Sequence, residues 1–275
     1  MANVVAVRHI SASTADDFQT CERLYKFKHI LGYEEPQSQA QVFGTVLDFA
    51  FDKYYETRSV EAMKAIVEEK WPGDVTEELC EKGRTKDRAL KICETYAERW
   101  QHDGIEVIIP AMRENQFVNI PGTEYRLAFR LDKVIRWDRT LRIMEHKTTS
   151  QLTNNTLNRY NPNIQNRLYT WAVRQMQLPV AGVVAGMLMD VVCVNTQKLD
   201  FKRDVISQSA GTDAEVLRYL QRILKDIETR TAADDFQPNW SQCNTFGECN
   251  FRRTCKMSPE YYESILQTYQ RRVGQ

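Results

Sequence analysis

The sequence predicts an α/β fold in which a mainly helical N-terminal part leads into a strand-rich core. Apolar residues recur at three- and four-residue steps as far as about residue 103, which is typical of amphipathic helices. From residue 105 the pattern changes to alternating and β-branched segments bounded by proline and glycine, which is typical of strands. The 275 residues contain no internal repeat, low-complexity tract or obvious linker. We therefore expect one compact unit with a helical insertion near its start.

Composition and charge narrow the class of protein. Hydrophobic residues make up 42% and charged residues 27% of the chain, a balance that excludes a disordered or collagen-like protein. The 37 basic and 37 acidic residues cancel, which argues against a nucleic-acid binder that relies on a global positive field but leaves room for a local basic groove. No apolar run is long enough to span a membrane, and the N-terminal apolar stretch is too short for a secretory signal. We expect a soluble, cytoplasmic protein.

The predicted elements alternate between helices and strands. Ser13 or Thr14 can cap a first helix that runs through Tyr25. Further helices are predicted over 41–56, 60–70, 86–101, from Asn161-Pro162 to about 176, from a capping box at Thr212 and Glu215, and over 259–270. Strands are predicted over 105–109, 116–120, 125–137 and 141–148, and a buried strand within 180–192.

Asp48 is a carboxylate inside a helix that is apolar nearly all round, over residues 41–56. Burying an ionised group without a partner is costly. We therefore expect a cation or a metal ion beside Asp48.

Two carboxylates and a lysine are predicted to meet on a hairpin formed by 125–137 and 141–148. Because side chains alternate along a strand, Glu145 and Lys147 share a face and His146 points the other way. If the connecting loop has an even number of residues, Asp132 shares that face as well. A loop at Asp138-Arg139 would place Asp132 beside Glu145, whereas a loop at Arg139-Thr140 would place it beside Lys147.

Such a group has a specific chemical use. Two carboxylates are hard oxygen ligands for Mg²⁺ or Mn²⁺, and a neighbouring lysine can position or activate a water for attack on a phosphodiester. The alternative is a surface cross-strand salt bridge, worth less than about 1 kcal/mol. Gln165 and Tyr169 share one helix face and could contact a nucleotide, although each could also be an ordinary half-buried polar side chain.

The seven cysteines are unevenly distributed. Cys243, Cys249 and Cys255 lie in one polar loop, and three thiolates need a fourth ligand to bind Zn²⁺ or a [4Fe–4S] cluster. Structural thiols without a metal are the other interpretation. The remaining cysteines outside the N-terminal helix, Cys80, Cys93 and Cys193, are assigned to packing.

Five segments carry a family resemblance, and they occur in the family's order along most of the chain. These segments are SASTADDFQTCERLYKFK, FGTVLDFAF, FRLDKV, MEHKTT and QNRLY. Together they resemble the PD-(D/E)XK nuclease superfamily, and specifically its RecB-type branch, which includes AddB-like and CRISPR-adaptation iron–sulfur exonucleases and many phage nucleases. The resemblance implies a restriction-endonuclease-like core, in which helices flank a mixed central sheet, with an N-terminal helical insertion and a C-terminal cysteine-rich loop.

The resemblance also implies roles for the residues. Asp132 and Glu145 would bind Mg²⁺ or Mn²⁺, and Asp48 and the His146 carbonyl would complete the shell. Lys147 would position or activate water, and Gln165 and Tyr169 would orient the DNA strand. Asp48 departs from the pattern, because the family usually has a histidine at that position.

For the cysteines, the resemblance offers Cys21 as the fourth ligand of a [4Fe–4S] cluster, with Zn²⁺ as the competing metal. The spacing Cys243-x5-Cys249-x5-Cys255 has a longer first gap than the AddB-like pattern. Such a cluster would clamp the N-terminal helical part onto the nuclease core and would be structural and DNA-facing rather than hydrolytic.

The expected domain is a single RecB-type nuclease domain over 1–275. It comprises a helical part (1–103), a nuclease core (104–232) and the cysteine loop with the C-terminal helix (233–275).

The expected function is a metal-dependent exonuclease at single- or double-stranded DNA ends, in recombination, repair or phage DNA processing, with a helicase or recombinase partner in a bacterial host. The alternatives are a non-catalytic module that binds DNA ends or recruits a partner, and a zinc-ligated structural protein with a chance hairpin triad.

Overall fold

The computed structural model describes residues 8–34, 37–73, 83–195, 198–244 and 249–271. The strands are β1 (Arg8–Ser11), β2 (Tyr33–Glu34), β3 (Glu106–Ile109), β4 (Met112–Asn119), β5 (Tyr125–Leu131), β6 (Lys133–Trp137), β7 (Thr140–Thr149), β8 (Gly186–Cys193), β9 (Asp200–Ser207) and β10 (Gln270–Arg271). The α-helices are α1 (Ala12–Thr20), α2 (Glu22–Tyr25), α3 (Gln39–Thr57), α4 (Val60–Lys70), α5 (Lys86–Trp100), α6 (Asn154–Asn158), α7 (Ile164–Gln175), α8 (Ala210–Ala233), α9 (Arg252–Cys255) and α10 (Tyr262–Leu266). The predicted α/β class is confirmed. Among the described residues, no helix combines the length and apolar character needed to cross a bilayer.

The chain forms two compact units. The first comprises residues 1–36, 119–128 and 214–275, and the second comprises 37–118 and 129–213. All the residues predicted for catalysis and for binding of a divalent metal lie in the second unit, and the four candidate cluster cysteines lie in the first.

The second unit contains a mixed five-stranded sheet in the order β3-β6-β7-β8-β9. Its β7 and β8 run parallel, and its other neighbouring strands run antiparallel. The helices α3, α4 and α5 cover the sheet through a shared apolar core, because residues such as Leu47 and Phe51 pack in one cluster with Met144 and Leu188. This packing holds α3, which carries Asp48, against the strand that carries Glu145 and Lys147.

A two-residue turn fixes the register of the β6–β7 hairpin. Trp137 pairs with Thr140, so the loop consists of Asp138 and Arg139, which both have a positive φ (47° and 60°). A turn of this kind suits the right-handed twist of a hairpin. Of the two even-numbered loops compatible with the sequence, the one that places Asp132 beside Glu145 is correct.

The first unit contains the two chain ends. Within it, β1 pairs in parallel with residues 125–128 of β5, and β2 pairs with β10. A small apolar core of Phe27, Tyr33, Phe251 and Leu266 joins the segment after α2 to the region around α9 and α10. The half-buried cysteines Cys249 and Cys255 pack against this core.

Several element boundaries differ from those predicted. The first helix begins earlier, since Ser11 rather than Ser13 or Thr14 is its cap and accepts a hydrogen bond from the Thr14 amide. It is also interrupted at Cys21, whose backbone is extended. Similarly, Asn163 caps α7 in place of Asn161, with bonds from two backbone amides.

Other differences lie in the C-terminal half. The Ser209 side chain accepts from the Thr212 amide, so Thr212 lies inside α8 and does not cap it. The strand predicted within 180–192 begins only at Gly186, and the C-terminal helix is short. The edge strand β9 was not predicted, because its polar residues hide the alternation.

We predict that Gly186→Ala destabilises the protein by about 3 kcal/mol or more. Gly186 has φ +142°, and a Cβ there would lie 1.9 Å from the carbonyl oxygen of Ile206 on the neighbouring strand. Gly73→Ala is the matched control, because a Cβ at Gly73 meets nothing within 4 Å. Urea unfolding followed by circular dichroism measures both; equal stability of the two variants would contradict the prediction.

Candidate active site

Asp132 and Glu145 lie side by side at the centre of the second unit. Lys133 pairs with Met144 in the hairpin, so Asp132, directly before β6, comes level with Glu145 on β7. The His146 amide donates a hydrogen bond of 3.0 Å to Oδ2 of Asp132 and fixes that carboxylate. Burial, together with the charge of Glu145, raises the pKa of Asp132 to about 6. Two carboxylates held this close favour a bound cation.

Lys147 and Gln165 both contact Glu145. The Lys147 ammonium lies 2.5 Å from Oε1 of Glu145, and the Gln165 amide donates to the same oxygen over 3.1 Å. Burial alone would lower the pKa of Lys147, but the charge of Glu145 and its hydrogen bond raise it above the ordinary value. Lys147 is therefore a fixed positive charge at neutral pH.

Tyr169 lies one helical turn after Gln165 on α7 and packs beside Phe129, with ring centroids 5.8 Å apart. Burial raises the pKa of Tyr169 to about 12, and the charges of Glu145 and Lys147 also act on it. The hydroxyl therefore stays protonated and can donate a hydrogen bond.

Asp48 has the cation that the sequence led us to expect. The guanidinium of Arg113 on β4 donates to Oδ2 of Asp48 and to Oδ2 of Asp52, one turn along α3. The other oxygen of Asp48, Oδ1, is buried and accepts no hydrogen bond from the described residues. Sequence reasoning missed Arg113, because it lies in a polar strand 65 positions away from Asp48.

A second buried cation lies behind the carboxylates. The Lys133 ammonium is 2.6 Å from Oδ1 of Asp52 and 2.7 Å from Nε2 of His146. Lys133 is only 1% exposed, and burial lowers its pKa to about 8. As predicted, the His146 ring faces away from Glu145 and Lys147; it is buried, and burial lowers its pKa.

Asp190 on β8 extends the buried polar network that is formed by Asp52, Lys133 and His146. It accepts a hydrogen bond of 2.6 Å from the Tyr96 hydroxyl and lies 3.3 Å from the guanidinium of Arg203 and 3.7 Å from Nδ1 of His146. The sequence carried a signal for it, since Asp190 interrupts the apolar strand β8 in the same way that Asp48 interrupts α3. The network holds β7 against α3 and α5 by polar contacts in addition to apolar packing.

The four candidate cluster cysteines lie in the same region of the first unit. The Asn239 amide donates to Sγ of Cys21 over 3.3 Å, and the Cys249 amide donates to the Cys243 carbonyl over 3.0 Å. Burial raises the pKa of the Cys255 thiol to about 11, and the neighbouring Cys21 and Cys249 act in the same direction. Cys21 therefore approaches the C-terminal loop, but no three thiols among the described residues are grouped to hold a metal ion, and the ligand set implied by the resemblance stays a prediction.

The other cysteines divide into two groups. Cys93 and Cys193 are buried, and their assignment to packing is confirmed. Cys80 lies outside the described residues.

No group of three or more His, Cys, Asp or Glu side chains in the described part of the chain is arranged to hold a metal ion. In the active-site region, Arg113 engages Asp48 and Lys147 engages Glu145. The donor chemistry nevertheless suits a hard divalent cation, since the carboxylates of Asp48, Asp132 and Glu145 are close enough to affect one another's charge and Oδ1 of Asp48 has no partner.

We predict that Lys133→Met destabilises the protein by about 3 kcal/mol, since it removes one of the two cations on the buried Asp52 carboxylate and leaves only Arg113. The double variant Lys133→Met/Asp52→Asn should recover part of that loss, because both charges of the Lys133–Asp52 pair are then absent and Arg113 keeps Asp48 as its partner. Lys64→Met, which removes an exposed ion pair with Glu94, should leave the unfolding midpoint unchanged. Thermal unfolding of the three variants measures this; a double variant no more stable than the single one would refute it.

Comparison with known proteins agrees with this geometry. The family model described as the PD-(D/E)XK nuclease superfamily matches residues 9–256. The fold is similar to that of a candidate exonuclease from Eubacterium rectale, with a TM-score of 0.59, 15% sequence identity and coverage of 93% of this chain and 92% of that one. A second structure, of SSO0001, covers 73% of this chain and 82% of its own at 12% identity, but its TM-score of 0.30 is too low to support an argument.

No curated protein matches the chain. The family match nevertheless spans most of the sequence and includes all the residues predicted for the site, from Cys21 to Cys255. At 15% identity the structural likeness shows a shared fold. This protein belongs to the PD-(D/E)XK nuclease superfamily.

Proposed function

We propose that this protein is a Mg²⁺- or Mn²⁺-dependent deoxyribonuclease that digests DNA from single- or double-stranded ends. Membership of a nuclease superfamily supports phosphodiester hydrolysis, and an exonuclease candidate shares the fold. The observation that carries the proposal is the hairpin register, which sets Asp132 beside Glu145 with Lys147 and Gln165 on the same carboxylate.

The metal would be held by Asp132, Glu145, Oδ1 of Asp48 and the backbone carbonyl of His146. These are hard oxygen donors, which Mg²⁺ and Mn²⁺ prefer. When bound, the ion would lower the pKa of water and stabilise charge on a phosphoryl oxygen. Because Arg113 occupies Oδ2 of Asp48, one oxygen of this carboxylate is left for a metal.

The side chains around the metal ligands have separate tasks in this proposal. Lys147, permanently charged, holds the attacking water and neutralises charge that develops on the phosphate. Its ammonium is already oriented by Glu145, which suits positioning or activation of a water. Gln165 is fixed by Glu145, and Tyr169 offers a hydroxyl donor, so both can orient the strand.

We also propose that Cys21, Cys243, Cys249 and Cys255 hold a [4Fe–4S] cluster, with Zn²⁺ as the alternative. The proximity of Cys21 to the C-terminal cysteines supports this ligand set. A cluster there would tie the N-terminal segment to the C-terminal one and so close a very long loop. Its role would be structural and DNA-facing.

The cellular setting is part of the same proposal. The resemblance to RecB-type nucleases supports a role in recombination, repair or phage DNA processing, with a helicase or recombinase partner, in the cytoplasm of a bacterial host. The family match over residues 9–256 supports a single nuclease domain. We propose that this domain spans 1–275, with a helical part (1–103), a core (104–232) and a cysteine loop (233–275).

We predict that Lys147→Ala lowers the single-turnover rate of DNA digestion by about 10²–10⁴-fold, because the charge beside the phosphate is lost. Lys53→Ala, which removes an exposed lysine on α3, is the control and should retain the wild-type rate. The assay uses 5′- and 3′-labelled single- and double-stranded DNA with Mg²⁺ and Mn²⁺ in turn. Wild-type activity in Lys147→Ala would reject the proposed role, and a wild-type protein that binds ends without cleaving them would identify a non-catalytic module.

For the cysteines, we predict that anaerobically purified protein is brown, with broad visible absorbance and about four iron atoms per chain. Cys255→Ala should lose the metal, whereas Cys93→Ala should keep it. Metal analysis and absorbance spectra measure both. A colourless protein with one zinc would select the zinc alternative, and protein with neither metal would refute the site.

A further inference from the structure

The candidate active site opens into a cavity of about 520 Å³ in the second unit. Asp48, His146 and Lys147 line one part of it, and Arg84, Gln37 and Gln41 line another. The two glutamines are exposed, so the cavity is accessible from solvent. A ligand bound there would reach the proposed metal ligands and the catalytic lysine.

The close approach of α3 to the end of β7 shapes this cavity. A Cβ at Gly44 would lie 3.1 Å from Oγ1 of Thr148, a tight contact, so the glycine lets α3 and β7 approach closely at this wall. The capping box at the start of α3 fixes Gln41, whose Oε1 accepts from the Ser38 amide over 2.7 Å. The amide side chain at the cavity edge is therefore held in place before a ligand arrives.

The size and charge of the cavity suit one nucleotide. Pockets for small molecules usually enclose about 300–1,000 Å³. Two cationic residues line the cavity. Lys147 belongs to the carboxylate group of the candidate active site, and Arg84 does not. A guanidinium binds a phosphate through two parallel hydrogen bonds. The side-chain amide of Gln37 can donate and accept, and that of Gln41, whose oxygen accepts from Ser38, can donate, so both can bind the edge of a base.

We propose that this cavity binds the 5′-phosphorylated terminal nucleotide of a DNA strand, with Arg84 on the terminal phosphate. A terminal phosphate monoester carries about two negative charges, against one for an internal diester, so it pairs more strongly with Arg84. This inference rests on the proposed nuclease function and adds the end that is recognised and the direction of digestion, from 5′ to 3′.

Each round of cleavage would leave a DNA end that the same cavity can bind in the next round. With the terminal nucleotide in the cavity, the next phosphate reaches Asp132, Glu145 and Lys147. The water oxygen bonds to phosphorus, the bond from phosphorus to the 3′ oxygen of the terminal nucleotide breaks, and that oxygen takes up a proton. The products are a nucleoside 5′-monophosphate and a strand with a new 5′-phosphate, which the same cavity can bind.

The test compares Arg84→Ala with Arg99→Ala, an exposed arginine on α5 that does not line the cavity. The substrates are linear single strands with a 5′-phosphate or a 5′-hydroxyl. We expect wild-type protein and Arg99→Ala to favour the 5′-phosphate by about tenfold or more in kcat/KM, and Arg84→Ala to lose that preference. Arg84→Lys should keep part of it, because a point charge remains.

Binding of deoxyadenosine 5′-monophosphate, measured by calorimetry, gives a readout that does not need cleavage. Its affinity should fall about tenfold in Arg84→Ala and stay unchanged in Arg99→Ala. Nucleotide binding that depends on Arg84 in a protein that never cleaves DNA would reject the proposed function and keep the cavity assignment. Cleavage with equal end preference in wild type and Arg84→Ala would overturn the cavity assignment alone.

Discussion

Trp137 pairs with Thr140 across a two-residue turn, and every later pair of the β6–β7 hairpin follows from that first one. The carboxylates of Asp132 and Glu145 meet because this count of residues is even, and the His146 amide then fixes Asp132. A slip of one residue would send the side chains of one strand to the other face. The proposed roles of Lys147 and Gln165 depend on this register, because both side chains contact Glu145. The proposed role of the cavity depends on it as well.

Gathering acidic side chains in a buried region is unfavourable, and three cations offset part of that cost. Arg113 lies on Asp48 and Asp52, Lys133 lies between Asp52 and His146, and Lys147 lies on Glu145. Since a buried charge without a partner costs several kcal/mol, these contacts keep the carboxylates ionised and in place. A divalent ion would therefore enter a site already adapted to positive charge.

The sequence predicted the elements that obey a local rule and missed those that depend on distant partners. Alternation along β7 correctly placed Glu145 and Lys147 together, but pattern alone left two possible turns, because both have even lengths. Arg113 and Lys133 could not be identified, since nothing near them along the chain reveals a buried carboxylate as partner. The start of α1 was misplaced, because β1 supplies its cap and no apolar period marks so short a strand.

The Asp138-Arg139 turn has a consequence for how this chain can vary in length. Both residues have left-handed backbone conformations that asparagine and glycine adopt more easily. A shift of the strand pairing by one residue there would turn Asp132 away from Glu145, although the turn itself is remote from the chemistry. Related chains that stay active can therefore vary the length of this loop only where the pairs on either side of it, from Trp137 and Thr140 outward, are kept.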